Sequence, residues 1–352
     1  MQKCKHWIGD RYDVKELQKL ARGKTVPVHR FGFLYYTGGI TLFLFIVQFI
    51  TGMLLAFYYV PHIDYAHASI VDIVTKLNAG WFVRSLHHWG AQLCMVFVFI
   101  HLFGTLLSKS YRKPRELTWV TGFILLVLAV FFGLSGYLLL WDERAFAAVR
   151  VATGGAGAFP VIGDFIKLFL RGGTDVTGDT LLRFYAFHVA ILPLLTMLLV
   201  GLHLLLVQYH GMSVPVSLEK KTTGCEPFFP NVFYKDLMIW LLVLGIVVTL
   251  AVLLPPEIGK KADPLAPVSE GMKPEWFFLF LLQTLKLFPG MILGLNGETI
   301  AVICVALGIG FFFLIPFVDR KSARGERSHL FTAIGVFYVI YFLAMTLIGY
   351  LT

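Results

Sequence analysis

Seven long runs without charged residues constrain this chain more than any other feature of its sequence. Each run reaches or exceeds the roughly 20 apolar residues needed to cross about 30 Å of hydrocarbon. In chain order the runs are Phe31–Ile63, Ser85–Ser108, Leu117–Trp141, Phe184–Leu218, Leu237–Pro256, Thr299–Val318 and Ser328–Thr352. They predict an all-α, polytopic membrane protein with seven transmembrane helices. Two other apolar stretches, Phe159–Leu170 and Trp276–Leu287, are too short to cross and predict surface or re-entrant helices.

The composition supports this class of protein. Hydrophobic residues make up 57% of the 352 residues and charged residues 14%, whereas a soluble domain carries about 25% charge. So little charge excludes a water-soluble body of this size. Such high hydrophobicity also excludes a disordered chain.

The basic residues predict how the chain is oriented in the membrane. The net charge is +9, and 19 of the 30 Lys and Arg residues lie in the N-terminal segment and in the second, fourth and sixth loops. Cytoplasmic segments carry such an excess. We therefore expect the N-terminus on the cytoplasmic, negative side and the C-terminus, seven crossings later, on the positive side. The charge sets topology and gives no support for a nucleic-acid partner.

A polar stretch at His210–Lys235 divides the seven spans into two groups. It predicts an N-terminal domain of four spans (1–209), a linker (210–235) and a C-terminal domain of three spans (236–352). The cysteines are far apart and form no C-x-x-C pair, which argues against an iron–sulfur cluster, a thiolate zinc site or a covalent haem attachment. They are Cys4, Cys94, Cys225 and Cys304.

Four histidines lie inside the second and fourth spans, where an ionisable residue is costly and marks a functional site. His87 and His101 are 14 residues apart, and His188 and His203 are 15 apart. On a helix these steps rotate by about −40° and +60° and rise about 21–22 Å, so both histidines of each span face roughly one side. Two facing helices would make one histidine pair near each surface. Bis-histidine ligation of two haems in a four-helix bundle is the simplest chemistry for this geometry.

Zinc fits the histidines less well, because a structural zinc site needs four converging ligands. His88 competes with His87 as a ligand, but 13 steps to His101 leave it about 140° off the common face. Glycines support the haem interpretation, because a residue without a side chain allows a flat macrocycle to approach the backbone. Two pairs, one in the first span and one in the third, repeat the step of 14: Gly38 and Gly52, and Gly122 and Gly136.

With these residues in place, the chain resembles cytochrome b of the quinol–cytochrome c oxidoreductases, the cytochrome bc complexes, over nearly its whole length. The strings that carry the resemblance are Arg84-Ser-Leu-His87, Pro114-Arg115-Glu116-Leu-Thr-Trp119, Gly136-Tyr137, Arg183-Phe-Tyr-Ala-Phe-His188 and Pro274-Glu275-Trp276-Phe277. The 15-residue step and the seven spans are similar to the chloroplast-type pair of cytochrome b and subunit IV, fused here at the polar stretch.

The resemblance implies a role for each histidine pair and for two arginines. His87 and His188 are expected to bind the iron of a low-potential b haem near the positive side. His101 and His203 are expected to bind a high-potential b haem near the negative side. Both haems are expected to be non-covalent. Arg84 and Arg183 match propionate contacts of the family, and cations beside propionates are physically reasonable.

The resemblance also implies a quinol-oxidising pocket on the positive side. Glu275 is expected to accept a quinol proton there, with Tyr137 lining the pocket and the short helix around Phe146 and Ala147 forming another wall. Two departures from the family pattern occur here. Phe277 stands where tyrosine is usual, and Leu140 stands where proline is common.

On the negative side, Lys235 and Asp236 match a family pair at a quinone-reducing site, where Asp236 supplies a proton and Lys235 relays it. His210 is a weaker candidate, because the family histidine falls where this chain has Gln208. The cysteine that holds an extra covalent haem in chloroplast-type proteins corresponds to Tyr35, so we expect no covalent haem. Gly104 replaces a frequent family arginine, so anchoring of the haem at His101 and His203 can differ. We call this haem the lower haem and the one at His87 and His188 the upper haem.

The expected function is therefore electron transfer from quinol at the positive side, through two b haems, to a quinone at the negative side, with proton translocation. A Rieske-type iron–sulfur protein and a c-type cytochrome are the partners that the resemblance implies, together with a homodimer in an energy-transducing, bacterial-type membrane. One alternative is a di-haem anchor of another quinone-linked oxidoreductase. Another is a secondary transporter with a histidine proton relay, which predicts inverted repeats that this sequence does not display.

Overall fold

In the computed structural model, seven helices are long and apolar enough to cross a membrane among the described residues, which are 23–221, 224–264, 272–292 and 294–352. Cys4 and most of the basic N-terminal segment lie outside these residues. The seven spans are Gly32–Ala56, Gly80–Ser108, Glu116–Leu138, Gly178–His210, Phe228–Leu253, Gly297–Ala323 and His329–Leu351. The predicted all-α membrane architecture is confirmed.

The regular elements follow one another with short connections. The helices are α1 Tyr35–Ala56, α2 Ala66–Lys76, α3 Gly80–Ser108, α4 Glu116–Leu138, α5 Glu143–Gly157, α6 Gly163–Arg171, α7 Gly178–Ala186, α8 Leu192–His210, α9 Phe233–Leu253, α10 Trp276–Lys286, α11 Gly297–Val318, α12 Arg320–Ala323 and α13 His329–Leu351. Short 3₁₀ segments cover Gly32–Leu34 and Val216–Lys221, and π-helical turns cover Phe187–Ile191 and Phe228–Val232. The two short apolar stretches become α6 and α10, neither of which is long enough to cross.

Two small antiparallel sheets complete the fold of the described residues. Strand β1 (Thr25–Pro27) pairs with β2 (Cys225–Pro227), and β3 (Met291–Ile292) pairs with β4 (Leu295–Asn296). The first sheet joins the segment before α1 to the polar stretch before α9. The domain boundaries at 209 and 236 stay a prediction, but the polar stretch is more than a spacer, because it pairs with the N-terminal segment.

The fourth span contains a π-helical turn between α7 and α8. Pro193 has no N–H to donate and its ring crowds the carbonyl four residues earlier, so a regular α-helix is disfavoured there. The chain forms a wider turn at Phe187–Ile191, in which the Leu192 N–H donates a hydrogen bond to the Phe187 carbonyl. A π-turn takes up one extra residue. The 15 residues from His188 to His203 therefore cover nearly the rotation that 14 residues give on α3.

The last three spans pack against the flank of the first four. On one side, α9 places Val243 and Val247 against Ile40 and Leu44 of α1 in a buried cluster. On the other side, α10, α11 and α13 pack on α3 and α4 in a cluster rich in aromatic residues. Its buried members are Met95, Phe99, Leu102, Leu106, Tyr111, Trp119, Phe123, Phe277, Phe312, Ile315 and Phe342. These contacts hold α10, which begins directly after Glu275, beside the four-helix bundle.

Candidate functional site

The two histidines of α3 are hydrogen-bonded to hydroxyl groups of α1. Thr51 Oγ1 lies 2.9 Å from His87 Nδ1, and Thr37 Oγ1 lies 3.1 Å from His101 Nδ1. Each hydroxyl also donates its proton to a carbonyl one turn earlier on α1, at 2.7 Å in both cases. The first span thus fixes both ring orientations of the second span.

The two histidines of the fourth span are hydrogen-bonded in the same way to hydroxyl groups of α4. Ser135 Oγ lies 3.0 Å from His188 Nδ1, and Thr121 Oγ1 lies 2.9 Å from His203 Nδ1. These hydroxyls again donate to carbonyls one turn earlier, at 3.2 Å for Ser135 and 3.0 Å for Thr121. The four histidines therefore share one mode of support.

This hydrogen bonding favours one tautomer of the four imidazoles. A hydroxyl has one proton, and a backbone carbonyl lies within bonding distance of each of these hydroxyls, so the oxygen can accept from the histidine. The favoured tautomer is then the one that is protonated at Nδ1. The Nε2 atom keeps its lone pair, which is the state a metal ligand needs, and a hydrogen bond on the opposite nitrogen is the usual support for such a ligand.

Each of the four paired glycines lies against one histidine ring. A methyl group at Gly38 would come 3.0 Å from His101 Cε1, and one at Gly136 would come 2.6 Å from His188 Cε1. Gly52 and His87, and Gly122 and His203, are related in the same way at 3.1 Å. The rings themselves occupy the space that a side chain would fill. This is a second reason for glycine, besides the predicted approach of a macrocycle.

The upper histidine pair faces one common space. The ring centroids of His87 and His188 are 6.3 Å apart with planes at 74°. A metal ion between the two rings would need two metal–nitrogen bonds of about 2 Å each. With the distance from nitrogen to ring centroid added for each histidine, these bonds span about the observed separation of the centroids. The facing ring is His87, as predicted, although His88 also lines the surrounding cavity. The residues present therefore fit a bis-histidine metal centre at this level.

The cavity around the upper pair extends to the predicted quinol pocket. Its volume is about 590 Å³, within the range of about 300–1,000 Å³ that is usual for ligand sites. Its lining includes both histidines together with Tyr137, Glu275 and Phe277. The five residues lie on α3, the fourth span, α4, α10 and the loop before α10, and the fold brings them to one space. Phe146 and Ala147 differ from expectation, because both are buried and neither lines the cavity.

Glu275 is held at the cavity wall by the Gln92 amide of α3, and Trp276 in turn bonds the other end of that amide. Gln92 Nε2 lies 2.7 Å from Glu275 Oε2, and Trp276 Nε1 lies 2.7 Å from Gln92 Oε1. Burial raises the pKa of the Glu275 carboxyl above its ordinary value, while the bond from Gln92 lowers it. Burial likewise raises the pKa of nearby Asp142. A raised pKa makes a carboxylate a stronger base, which suits Glu275 to accept a proton.

The two arginines that are predicted to contact haem propionates differ in burial and in contacts. Arg84 is buried, lines the cavity and donates to the carbonyls of Pro256 at 2.7 Å and Glu257 at 3.1 Å. A guanidinium has five donors, so Arg84 keeps others for an anionic group. Arg183 is exposed, donates to the Phe169 carbonyl and does not line the cavity. Its propionate role stays a prediction.

The two residues predicted for the negative side, Asp236 and Lys235, lie in different surroundings. Lys235 is exposed and forms an ion pair with Glu226 at 2.7 Å. Asp236 Oδ1 is buried without a hydrogen-bond partner among the described residues, and so is Trp240 Nε1 one turn later. Both atoms face Gly39 of α1, at 3.0 Å and 3.6 Å from the position of a methyl group there. An unpaired acceptor and an unpaired donor thus meet beside the first span.

The other candidates of the negative side are held by local contacts. His210 Nδ1 is buried without a partner among the described residues, and its carbonyl accepts from Arg115 at 2.9 Å. The Tyr35 hydroxyl lies 2.5 Å from His29 Nε2 and donates to the Ser213 carbonyl at 2.9 Å. Gly104 packs against Leu34, where a methyl group would come to 3.3 Å.

Five residues of the site carried no interpretation in the sequence. Four are the hydroxyl residues that support the histidines, and each directly precedes one of the paired glycines. The signal was a Ser/Thr-Gly dipeptide repeated with the step of 14 in the first and third spans. The fifth, Gln92, is a polar side chain in an otherwise apolar run. The first four are Thr37, Thr51, Thr121 and Ser135.

Comparison with known proteins decides between the families that such a bundle permits. The sequence model of the family described as "Cytochrome b/b6/petB" matches residues 23–211, and that of "Cytochrome b(C-terminal)/b6/petD" matches residues 261–352. The chain belongs to the cytochrome b family. Cytochrome b is the membrane electron-transfer subunit of quinol oxidation and binds b-type haem, so this chain is part of an oxidoreductase of the quinol–cytochrome c type.

Individual relatives agree with the family assignment. The cytochrome bc complex cytochrome b subunit of Chlorobaculum thiosulfatiphilum is 41% identical over 343 residues, which are 97% of this chain and 79% of that protein. Cytochrome b6 of Synechococcus sp. (strain JA-3-3Ab) is 41% identical over 216 residues, which are 61% of this chain and all of that protein. A chain of a solved structure titled "Hyperthermophilic respiratory Complex III" superposes with a TM-score of 0.86 at 29% identity, covering 98% of this chain and 90% of that one.

Proposed function

We propose that this cytochrome b oxidises quinol in the cavity that His87 and His188 share with Glu275. The observation that carries the proposal is this common lining, because a proton acceptor and a pair of haem ligands face one space of about 590 Å³. A di-haem anchor that only relays electrons does not need an acid at that position. The alternative of a simple anchor is therefore disfavoured.

The chain would hold two non-covalent b haems. His87 and His188 bind the upper one, and His101 and His203 bind the lower one. When bound, the haems supply one-electron transfer across the membrane. The protein fixes each ligand ring through a hydroxyl, keeps Nε2 free of a proton, and offers Arg84 to a propionate. Gly38, Gly52, Gly122 and Gly136 leave room for the rings and the macrocycles.

Glu275 would take a proton from the quinol hydroxyl that enters the cavity. Its buried setting raises the pKa of the carboxyl, which makes the ionised group a stronger base for this proton. Tyr137 and the apolar Phe277 would line the ring of the quinol. Because Phe277 has no hydroxyl, the aromatic ring supplies packing alone at this position.

Asp236 would protonate a quinone oxygen on the negative side. Among the described residues, Asp236 Oδ1 and the Trp240 N–H have no hydrogen-bond partner, so the carboxyl, once protonated, would be free to donate its proton to the quinone. The exposed ammonium of Lys235 would carry protons in from the cytoplasm. We place the N-terminus on that cytoplasmic side and the C-terminus on the positive side of a bacterial-type membrane.

The assembly would include partner subunits. Of the two electrons that each quinol releases, one would cross the membrane through the haems of this chain and the other would pass to an acceptor outside the membrane. A Rieske-type iron–sulfur protein and a c-type cytochrome would take this role, and two copies of the chain would form a homodimer.

The substitution Glu275→Gln tests the proposal. In the assembled complex it should slow quinol oxidation by about 10²-fold, the usual scale for loss of a general base, and leave the reduced-minus-oxidised haem spectrum unchanged. The exposed Glu298 at the start of α11 provides the matched control, and Glu298→Gln should retain full turnover. Unchanged turnover in Glu275→Gln would remove Glu275 from the mechanism.

A further inference from the structure

The Gln92 amide bridges Glu275, the last residue of the loop before α10, and Trp276, the first residue of α10. It lies on α3, five residues after His87, and is half-buried at the cavity wall. Its two ends are bonded to consecutive residues, since Nε2 is 2.7 Å from Glu275 Oε2 and Oε1 is 2.7 Å from Trp276 Nε1. A single side chain thus ties the proton acceptor to the helix that carries the upper haem ligand.

The indole of Trp276 fixes which end of the amide meets the carboxylate. An indole N–H is a donor only, so the Gln92 atom that it contacts must be the carbonyl oxygen. The amide NH₂ group must then be the end beside Glu275. If the amide were flipped, its NH₂ group would face the indole N–H of Trp276, and its oxygen would face the carboxylate of Glu275. Neither pair could form a hydrogen bond. The orientation, which diffraction seldom distinguishes, follows here from chemistry.

The strength of the bond between Gln92 and Glu275 depends on the charge of the acceptor. A hydrogen bond to an ionised carboxylate is roughly twice as strong as one between neutral groups. Once Glu275 has taken a proton, its oxygen is a weaker acceptor for the amide. The ionised side chain is therefore held, and the protonated side chain is freer to turn away from α3.

We propose that Gln92 is a positioning residue that holds ionised Glu275 toward the quinol cavity and releases it after the proton has been taken. This inference rests on the function proposed above. It assigns to α3 a second task besides carrying haem ligands. It also explains why a polar amide stands in the middle of a span, where an unpaired one would be costly.

The charged and titratable neighbours of Glu275 define what else acts on it. Asp142 and Arg144, at the start of α5, face it with opposite signs, and Tyr137 faces it from the end of α4. Arg84 and His88 line other walls of the same cavity. Burial raises the pKa of Glu275, and the donor of Gln92 opposes that rise by stabilising the ionised form. Removal of the donor should therefore raise the pKa further.

The test is the pH profile of quinol oxidation by the complex that carries Gln92→Met. Methionine keeps the length and volume of the side chain but has neither amide group. The acid limb of kcat/KM, which reports the base of the free enzyme, should move to higher pH by about one unit. At high pH, where Glu275 is ionised in both proteins, most of the rate should return. The haem spectrum should stay unchanged.

Three further variants make the result decisive. Gln283→Met makes the same substitution on α10 where it packs against α13, and it should leave the profile in place. Trp276→Phe removes the donor that orients the amide and should give a smaller shift of the same sign. It also serves as the second probe if Gln92→Met fails to assemble. In a Glu275→Gln background, Gln92→Met should add no shift, because the carboxylate that Gln92 contacts is gone.

The outcomes separate the two proposals. If Glu275→Gln slows turnover but neither Gln92→Met nor Trp276→Phe moves the acid limb, Gln92 has no positioning role and quinol oxidation at Glu275 still stands. If Glu275→Gln itself has no effect, the proposed function fails first. A shift that persists in the Glu275→Gln background would assign the titration to another group and overturn the role of Gln92.

Discussion

At the scale of single residues, the placement of the four histidines was predictable and the hydroxyl groups that support them were not. The steps of 14 and 15 residues identified four histidines on one face of two spans. The hydroxyls of Thr51 and Ser135 were missed, because Ser and Thr in membrane helices commonly bond their own backbone. These hydroxyls do so too, and they accept from histidine in addition. Only the fold reveals the second bond.

The tightest of the four glycine contacts gives a residue-scale prediction. A methyl group at Gly136 would lie 2.6 Å from His188 Cε1, so Gly136→Ala should displace the ring and sharply reduce the content of the upper haem. The matched change Gly308→Ala, on α11, meets no atom within 4 Å and should retain both haems. Haem quantified per polypeptide measures the difference. Full haem content in Gly136→Ala would contradict the assigned contact.

At the scale of elements, spans were easy to predict and their irregularities were not. Charge-free runs located all seven helices, but a uniform helix gave the fourth span a rotation of about +60° between its histidines. The π-turn at Phe187–Ile191 reduces the rotation between these two histidines, because it takes up one extra residue. Pro193 was its signal in the sequence, because a proline inside a helix must displace hydrogen bonds. The extra residue of the 15-step is the one that the π-turn absorbs.

Two buried hydrogen bonds near the end of α3 join the four-span bundle to the last three spans. Tyr111, after α3, donates to Asp319 Oδ2 at the end of α11 at 2.8 Å, and Lys109 donates to the Ser328 carbonyl beside it. Tyr111→Phe should lower the free energy of unfolding by about 1.5–3 kcal/mol, the range for bonds to charged groups. It should also lower the melting temperature of the complex without altering the haem spectrum. The exposed Tyr58 offers the control Tyr58→Phe, and equal melting temperatures for the two variants would contradict this link.

At the scale of the whole molecule, the sequence predicted the two quinone sites, one for each side of the membrane, unequally well. The positive-side residues Glu275 and Tyr137 were found by their strings, and the fold brings them to the cavity of the upper histidines. The negative side was harder. Lys235 and Asp236 are neighbours in sequence, yet one pairs with Glu226 and the other faces Trp240 and Gly39. Neighbouring residues on a helix point about 100° apart, so adjacency alone could not foretell a shared site.

The central claim is that this one chain holds two b haems, each between a histidine of the second span and a histidine of the fourth. The most direct measurement is the amount of haem per polypeptide in the purified complex, taken with its reduced-minus-oxidised visible spectrum and an acid–acetone extraction, after correction for any haem of partner subunits. The account predicts two b-type haems per chain, both extractable. One haem, none, or a haem that stays attached to this chain would contradict it.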